Sequence, residues 1–154
     1  CYVHHLRGIG QSSRSSMAQI LPTLGTTHAV EKFLLQQVTS VKDSRAEVLL
    51  IAHGTPHYQE PFKQLAQIAS KLERQLGRRV YPADYYGEHP YLPILEKHSE
   101  PMIIQRLFLT EGYLARKIKN NIIEHRGAQD ILLPTMQDSA ALVSAILERL
   151  TPYI

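Results

Sequence analysis

The sequence predicts an α/β fold in which a four-stranded parallel sheet is flanked by helices. Two observations predict it. From residue 46 onward, short aliphatic runs alternate with longer amphipathic segments, and the loops between them are short. Such alternation indicates parallel strands joined by right-handed crossovers, with helices covering both faces. Because parallel strands point the same way, every loop that follows a strand opens on one edge of the sheet.

The first predicted strand covers residues 47–52 and leads into the first helix. Its four consecutive aliphatic residues, VLLI, are bounded by turn-prone residues, which is typical of a buried strand. In the next segment, EPFKQLAQIASKLERQL, apolar residues recur every three or four positions, as in an amphipathic helix. The members of this stripe are Phe62, Leu65, Ile68, Leu72 and Leu76.

The following elements continue the alternation. The run RRVYPADYY predicts a strand at 79–85, and Pro82 indicates a sheet edge or an irregularity, because proline cannot donate to the ladder. The run HPYLPILEKH predicts a short helix with Pro90 near its first turn. A third strand is predicted at 102–109, and EGYLARKIKNNIIEH predicts the helix after it.

The chain closes with one more strand and helix. The run DILLPT predicts a strand at 130–134, and DSAALVSAILERL predicts a helix with Asp138 or Ser139 as its N-cap. The aliphatic stripe of this helix is predicted to face inward; it consists of Val143, Ile146, Leu147 and Leu150.

The amino-terminal region repeats the end of the chain. Residues 20–38, ILPTLGTTHAVEKFLLQQV, align without a gap to residues 132–150, with five identical pairs among nineteen. Chance convergence of two strand-turn-helix segments would give a similar match. If the repeat is real, residues 1–45 are the tail of a preceding unit plus a linker, and residues 46–154 form one domain. Residues 20–38 would then pack on that domain as an extra strand and helix.

Composition limits the chemistry that is available. The chain has 154 residues, of which 44% are hydrophobic and 20% charged, as in an ordinary globular domain. A single cysteine excludes an internal disulfide and a thiolate metal cluster. The basic residues are scattered, whereas nucleic-acid binding requires a clustered stripe, and no apolar run approaches the ~20 residues of a membrane span. We therefore expect a cytoplasmic protein that binds neither nucleic acid nor membranes.

No organic cofactor is expected. The segment AHGTPHYQEP, which follows the first strand, contains one glycine. It lacks the Gly-x-Gly-x-x-Gly turn that lets a backbone approach a pyrophosphate, so a dinucleotide site is disfavoured.

Polar side chains that suit metal chemistry follow the first three strands. The first loop offers His53 and His57, the second Glu88 and His89, and the third Glu111. Neutral imidazole ligates cobalt, iron and nickel and has an unperturbed pKa of ~6.5, so it suits both metal binding and proton transfer. Simpler roles remain open: a hydrogen bond within its own turn for the first histidine, solvated loop positions for the next three residues, and the first helical turn for the last.

Three motifs in residues 46–150 resemble the class II tetrapyrrole chelatases, the small sirohydrochlorin cobaltochelatases and ferrochelatases. They are LLIAHGT at the end of the first strand, FLTEGY after the third, and LPT before the last helix. The resemblance implies a three-layer chelatase-like fold. It also implies insertion of cobalt or iron, with nickel as a further candidate, into a sirohydrochlorin-type ring in cobalamin or siroheme biosynthesis. The divalent metal is then a substrate, and the expected partners are the tetrapyrrole and either a second copy or a fused preceding unit.

The resemblance assigns roles to particular residues. His53 falls on the family's metal-binding and proton-accepting histidine. Glu111 is a second candidate catalytic residue because of its position in the loop after the third strand, and not because of the resemblance. Glu88 and His89 lie near the family's Glu-Pro segment and complete the candidate metal ligands. The candidate substrate-binding residues are Thr55, His57, Tyr113 and Arg116.

The family's second histidine is missing from this chain. It would fall in the run Gly112-Tyr113-Leu114, where Leu114 can neither ligate a metal nor accept a proton. The alternative function is therefore a non-catalytic chelatase-like module that binds tetrapyrrole or metal.

Several other polar residues have two interpretations. Arg116, Lys117 and Lys119 could bind the carboxylates of the ring or form an ordinary solvated helix face. His4 and His5 could supply the missing ligand histidine of a preceding unit, or they could lie at a frayed terminus.

Overall fold

The computed structural model describes residues 24–42, 44–137 and 139–153. In chain order the main elements are α1 (His28–Thr39), β1 (Val48–Ala52), α2 (Glu60–Leu76), β2 (Val80–Asp84), α3 (Tyr91–Glu96), β3 (Ile103–Arg106), α4 (Tyr113–Arg126), β4 (Ile131–Leu133) and α5 (Ala140–Leu150). Two short 3-10 helices, Leu24–Thr26 and Thr151–Tyr153, precede α1 and follow α5. None of the helices in these ranges has both the length and the apolar character that crossing a membrane requires.

The predicted four-stranded parallel sheet is confirmed. Its order is β2-β1-β3-β4, every pair is parallel, and each strand lies within its predicted range. Strand β2 is at one edge, where Pro82 pairs in register with Leu50. An edge strand tolerates proline because only one of its sides must hydrogen-bond to a neighbouring strand.

Helices cover both faces of the sheet, so the predicted three-layer fold is also confirmed. All five residues of β1 are buried, and their side chains alternate between two cores. Val48 and Leu50 belong to the core beneath α1, α2 and α5, whereas Leu49 and Ile51 belong to the core beneath α3 and α4. A strand that is buried on both faces has an uninterrupted run of aliphatic residues in its sequence, and β1 was predictable for this reason.

The predicted extra helix of the amino-terminal region is present as α1. It packs on the first core through Val30, Leu34 and Val38, which are all buried. The strand predicted just before it lies outside the described residues.

The helices of the two predicted repeat segments begin in the same way. The side chain of Thr27 caps α1 by accepting the backbone N–H of Val30 at 3.3 Å. Ser139, its repeat partner, caps α5 by accepting the backbone N–H of Ala141 at 3.0 Å. The two helices therefore begin at equivalent positions of the alignment, which agrees with a repeat.

The prediction for the inward face of α5 was wrong. Its aliphatic stripe is exposed to solvent: Val143 by 59%, Ile146 by 40%, Leu147 by 53% and Leu150 by 40%. The helix instead packs through Ala145, which is buried, and through half-buried Ala141 and Leu142. The reason is that α5 packs mainly against α1, whose buried residues join the core on that side of the sheet.

Candidate functional site

The topology of the sheet identifies one crevice for a ligand. The chain passes from β1 to β2 on one side and then crosses to β3 on the other side of β1. In open α/β sheets, ligands bind outside the carboxyl ends of the strands at such a switch point. His53 directly follows β1, and the loop containing Glu111 follows β3. Both residues therefore lie in loops that border this crevice.

The imidazole of His53 is held in a defined orientation. Its Nδ1 lies 2.8 Å from the carbonyl oxygen of Gly54. Because a carbonyl only accepts hydrogen bonds, Nδ1 carries the hydrogen, and in the neutral ring Nε2 has the lone pair. No hydrogen bond from the described parts of the chain reaches Nε2. The ring also lies 4.9 Å from that of Tyr86, so His53 is a half-buried, oriented side chain that presents a basic nitrogen.

A buried carboxyl shapes the loop after β2 and lies directly beside the loop after β1. Asp84, at the end of β2, accepts the backbone N–H of Gly87 at 3.0 Å and that of His89 at 3.3 Å. Gly54 has a φ of +71°, and a Cβ there would lie 2.4 Å from the Cβ of Asp84. Only glycine allows this close approach. Burial raises the pKa of the Asp84 carboxyl above its ordinary value, although the two N–H donors partly oppose the shift.

The loop after β2 directs its histidine toward a helix. The ring of His89 stacks on Phe62, at the start of α2, with centroids 3.5 Å apart and planes 5° from parallel. Glu88 is exposed. Across residues 24–42, 44–137 and 139–153, no group of three or more His, Cys, Asp or Glu side chains is arranged to hold a metal ion. The predicted ligands His53, Glu88 and His89 thus do not form a ready-made three-ligand site.

The predicted proton acceptor Glu111 forms an ion pair. Its two carboxylate oxygens accept hydrogen bonds of 2.8 Å from the two terminal nitrogens of Arg106. One of these oxygens also accepts the backbone N–H of Thr135 at 3.1 Å, from the loop after β4. Burial acts to raise the pKa of the Glu111 carboxyl, but the bonds from Arg106 and Thr135 outweigh it and lower the pKa. This arrangement favours a structural role and disfavours proton transfer.

Arg106 is a residue whose role the sequence did not reveal. It is the last residue of β3 and only 3% exposed. Besides Glu111, it donates to the carbonyl oxygens of Ala115 at 2.9 Å and Leu133 at 3.3 Å. The available signal was an arginine within the apolar run MIIQRLFL, because a buried cation needs a nearby carboxylate. The Arg106–Glu111 pair joins the loop after β3 to α4 and β4.

We expect Glu111→Gln to lower the free energy of unfolding by about 1–2 kcal/mol at neutral pH, because Arg106 loses its counter-charge. Removing one partner of a buried pair costs about 3–5 kcal/mol. This figure is reduced here because the Glu111 side chain is 39% exposed and therefore screened by solvent. Urea denaturation followed by circular dichroism measures the difference.

The difference in the free energy of unfolding between wild type and Glu111→Gln should depend on pH, and this dependence tests the role of the ion pair. The pKa of Glu111 is lowered in the folded state. Its contribution is therefore present above the pKa of the unfolded carboxyl and is lost as the pH falls through the folded value. The gap between wild type and Glu111→Gln should shrink at acid pH. Glu88→Gln, an exposed loop variant, is the matched control, and an equal loss of stability in both variants would contradict the account.

Tyrosines and one lysine form a rim beside His53. The rings of Tyr85 and Tyr86 lie 4.5 Å apart in an edge-on arrangement. The Lys117 Nζ lies 5.8 Å from the ring centre of Tyr85 and 5.9 Å from that of Tyr113. Tyr86 and Tyr113 are 53% and 73% exposed. The rim thus combines exposed aromatic side chains, which suit contact with a planar ring, with a cation that suits a carboxylate.

The remaining predicted substrate-binding residues occupy the same edge with fewer contacts. The Thr55 hydroxyl accepts the backbone N–H of His57 at 3.2 Å and so stabilises the turn after β1. His57 is exposed beside Tyr58, with ring centroids 6.5 Å apart. Arg116 is exposed on the first turns of α4, and Lys119 is exposed farther along that helix. Their positions leave both the binding and the solvated interpretation open.

Leu114 is a packing residue. Its half-buried side chain contacts the core beneath α3 and α4. A histidine at this position would exchange apolar packing for a polar ring, so Leu114→His would affect stability as well as chemistry. His4 and His5 lie outside the described residues.

Comparisons with known proteins show that this chain is similar to solved structures. Neither a protein-family model nor a curated protein sequence matches the chain. SirB from Bacillus subtilis with Fe3+ superimposes with a TM-score of 0.73 at 17% identity, over 85% of this chain and 56% of that one. The sirohydrochlorin chelatase SirB from Bacillus subtilis subspecies spizizenii, in complex with cobalt, superimposes with a TM-score of 0.67 at 17% identity. This second match covers 94% of this chain and 59% of that one. The chain therefore has the fold of these chelatases and spans somewhat more than half of their length.

Proposed function

We propose that this chain is a chelatase unit that receives Co2+ or Fe2+ as a substrate and inserts it into a sirohydrochlorin-type tetrapyrrole, in cobalamin or siroheme biosynthesis. The observation that carries the proposal is His53. It lies at the switch point of a fold shared with two SirB structures, one with Fe3+ and one with cobalt. It is oriented by Gly54, and its Nε2 has a lone pair available for a metal.

Metal insertion requires an ion held on one face of the ring and the loss of two pyrrole protons. The Nε2 of His53 is able to ligate the ion or to accept a proton, but one lone pair cannot do both at once. The exposed side chains of Tyr86 and Tyr113 would contact the planar ring, and Lys117 would pair with a ring carboxylate. These residues supply binding, orientation and one nitrogen base.

A second proton acceptor has to come from another residue. Leu114 has no acceptor atom, and both oxygens of Glu111 are bonded to Arg106. The remaining candidates are His89, after release of its ring from Phe62, and a side chain from a second unit. We propose that this second unit is either another copy in a homodimer or a fused preceding unit. In the fused case, residues 1–45 are the tail of the preceding unit with its linker, and residues 46–154 are the chelatase-like domain.

A non-catalytic module that binds tetrapyrrole or metal is the second candidate. Two observations favour it: Leu114 packs into the core, and the described ranges contain no three-ligand metal group. Such a module would use the tyrosine rim and Lys117 to hold the ring and would leave metal insertion to another protein.

An anaerobic absorption titration separates the two candidates. Sirohydrochlorin is added first, and the shift of its spectrum reports ring binding. Co2+ or Fe2+ is then added, and the rate at which the spectrum of the metallated ring appears is compared with the rate in buffer. A protein-dependent acceleration supports the chelatase. Ring binding without acceleration over a range of pH supports the binding module, and the absence of ring binding contradicts the chelatase and leaves only a module that binds metal.

A further inference from the structure

We propose that Arg106 is a positioning residue for the rim beside the candidate site. It fixes the α4 half of the rim, Tyr113 and Lys117, relative to the β2 half, Tyr85 and Tyr86. Arg106 is only 3% exposed, so it acts through α4 and not by touching a ligand. This role deepens the proposed function and rests on it, because the rim is where the planar ring would bind.

The β2 half of the rim is held by the central strand. The backbone N–H of Tyr85 donates to the carbonyl oxygen of Ala52, the last residue of β1, at 3.0 Å. The backbone N–H of Tyr86 donates to the carbonyl oxygen of His53 at 2.8 Å. These bonds keep both tyrosines at one position relative to His53.

The α4 half of the rim begins at a helix terminus without a side-chain cap. The N-cap residue is Gly112, which has no side chain to accept a backbone N–H. Tyr113, the first residue of the helix, is 73% exposed, so its side chain has few packing contacts. Lys117 follows one turn later on the same side of the helix. The position of both residues therefore depends on how the backbone of this first turn is held.

Arg106 holds that backbone at two points. One of its terminal nitrogens donates to the carbonyl oxygen of Ala115, in the first turn of α4, at 2.9 Å. Both terminal nitrogens donate at 2.8 Å to the carboxylate of Glu111, which directly precedes the N-cap Gly112. Because the guanidinium is planar and rigid, these bonds fix direction as well as distance. The start of α4 is thus tied to the end of β3.

The sheet fixes the position of Arg106 in turn. Arg106 is the last residue of β3 and pairs in register with Ile51 of β1. It also donates to the carbonyl oxygen of Leu133, the last residue of β4, at 3.3 Å. Since β2 and β3 lie on opposite sides of β1, the two halves of the rim are attached to opposite sides of one strand. Arg106 therefore sets the separation of the two halves.

Lys117 connects the two halves of the rim and is sensitive to their separation. Its Nζ lies 5.8 Å from the ring centre of Tyr85 and 5.9 Å from that of Tyr113. The pKa of the Lys117 amine is raised above its ordinary value, chiefly by interaction with the Tyr85 side chain. A planar ring that contacts tyrosines of both halves requires one fixed separation, so loss of Arg106 should weaken ring binding.

Amide hydrogen exchange of the 15N-labelled chain, measured without any ring, tests the positioning role itself. In the wild type the Arg116 N–H donates to the carbonyl oxygen of Gly112 at 3.1 Å, across the first turn of α4. Arg106→Met is expected to speed exchange of this N–H at least about tenfold, because the first turn opens more often. The N–H of Gly127, at the other end of α4, should change less than about threefold.

Arg126→Met is the matched control. Arg126 is also buried in an ion pair, with Asp130, but it lies at the far end of α4. Its loss should leave exchange of the Arg116 N–H within about threefold of wild type, because that N–H exchanges through local opening. A merely structural effect of losing a buried arginine would speed this exchange in both variants.

Absorption titration with sirohydrochlorin tests the consequence for the rim. Arg106→Met should raise the dissociation constant of the ring at least about tenfold, because the two halves are no longer preorganised. Its affinity for Co2+ should change less than about threefold, since His53 is oriented by Gly54 and not by Arg106. Arg126→Met should bind the ring with an affinity within about threefold of wild type.

Circular dichroism shows whether each variant is folded. If Arg106→Met is unfolded, Arg106→Lys replaces it. Lysine keeps a counter-charge for Glu111 but lacks the planar fork, so both measurements should shift in the same direction. Unchanged Arg116 exchange in the folded Arg106 variant would overturn the proposal, and so would equal losses of ring affinity in the Arg106 and Arg126 variants.

Failure of the proposed function gives a different result. If the wild-type chain binds no sirohydrochlorin but Arg116 exchange is accelerated only in the Arg106 variant, the positioning of the rim is confirmed and the chelatase function is contradicted. If the wild-type chain binds the ring and the folded Arg106 variant binds it equally well, the chelatase function stands and the positioning role is overturned.

Discussion

Replacing His53 with alanine is expected to reduce metal insertion by about 100-fold or more and to weaken Co2+ binding by at least about tenfold. The reason is geometric. His53 lies at the carboxyl end of a strand with five buried residues, and its Nδ1 is bonded to Gly54. Its loss removes the oriented nitrogen and leaves the backbone unchanged. Calorimetric titration with Co2+ and the sirohydrochlorin absorption assay measure the two effects.

His57→Ala is the matched control for this prediction. His57 lies in the same loop, four positions later, but it is exposed and has no oriented ring nitrogen. Its replacement should change insertion less than about threefold, a difference of well under 1 kcal/mol. Equal losses in the two variants would show that the loop contributes only general polarity, and unchanged insertion in His53→Ala would remove His53 from the mechanism.

Replacing Arg126 with methionine is expected to destabilise the fold by about 3–5 kcal/mol, because it leaves the buried Asp130 carboxylate without its counter-charge. The Arg126 and Asp130 side chains are only 7% and 1% exposed, and two hydrogen bonds of 2.7 Å join them. Arg126 also donates to the carbonyl oxygens of Leu95 at 2.8 Å and Glu100 at 2.9 Å. The guanidinium therefore ties the end of α4 to the loop between α3 and β3.

The Asp130 carboxylate extends this network by accepting the backbone N–H of Met102 at 2.9 Å. A double-mutant cycle of Arg126→Met with Asp130→Asn isolates the energy of the pair. Urea denaturation should show a smaller loss for the double variant than for the sum of the two single variants. Arg74→Met, at an exposed position on α2, serves as the control and should change stability by less than about 0.5 kcal/mol. If Arg126→Met lowered the free energy of unfolding by less than about 0.5 kcal/mol, the prediction would be contradicted.

The strands were predictable because each has a local signal. Uninterrupted aliphatic residues mark β1 as the buried centre of the sheet, and Pro82 marks β2 as an edge. The face of α5 was not predictable, because it depends on the packing of α5 against α1, which lies more than 100 positions earlier in the chain. Periodicity identifies an apolar stripe, but it does not say whether a sheet or another protein covers that stripe.

The candidate site was predictable only in part, and for the same physical reason. His53 follows from the end of a strand in a parallel sheet. The hydrogen-bond partners of Glu111 could not be predicted in this way, because Arg106 lies five positions earlier within an apolar run and Thr135 lies beyond the next strand. The stacking of His89 on Phe62 likewise depends on a contact between two loops. Local sequence places a residue at an edge, whereas its partners depend on the packing of distant segments.

The central claim is that the Nε2 of His53 receives the metal, and the side-chain nitrogen spectrum of the histidines tests it most directly. Long-range 1H–15N correlation spectra of the 15N-labelled chain are recorded without metal and with Zn2+, a diamagnetic substitute for Co2+; His53→Ala identifies the His53 signals. The account predicts the tautomer protonated on Nδ1 before metal is added, and a large displacement of the Nε2 resonance afterwards. A tautomer protonated on Nε2, or a His53 signal that stays unchanged while other histidines respond, would contradict it.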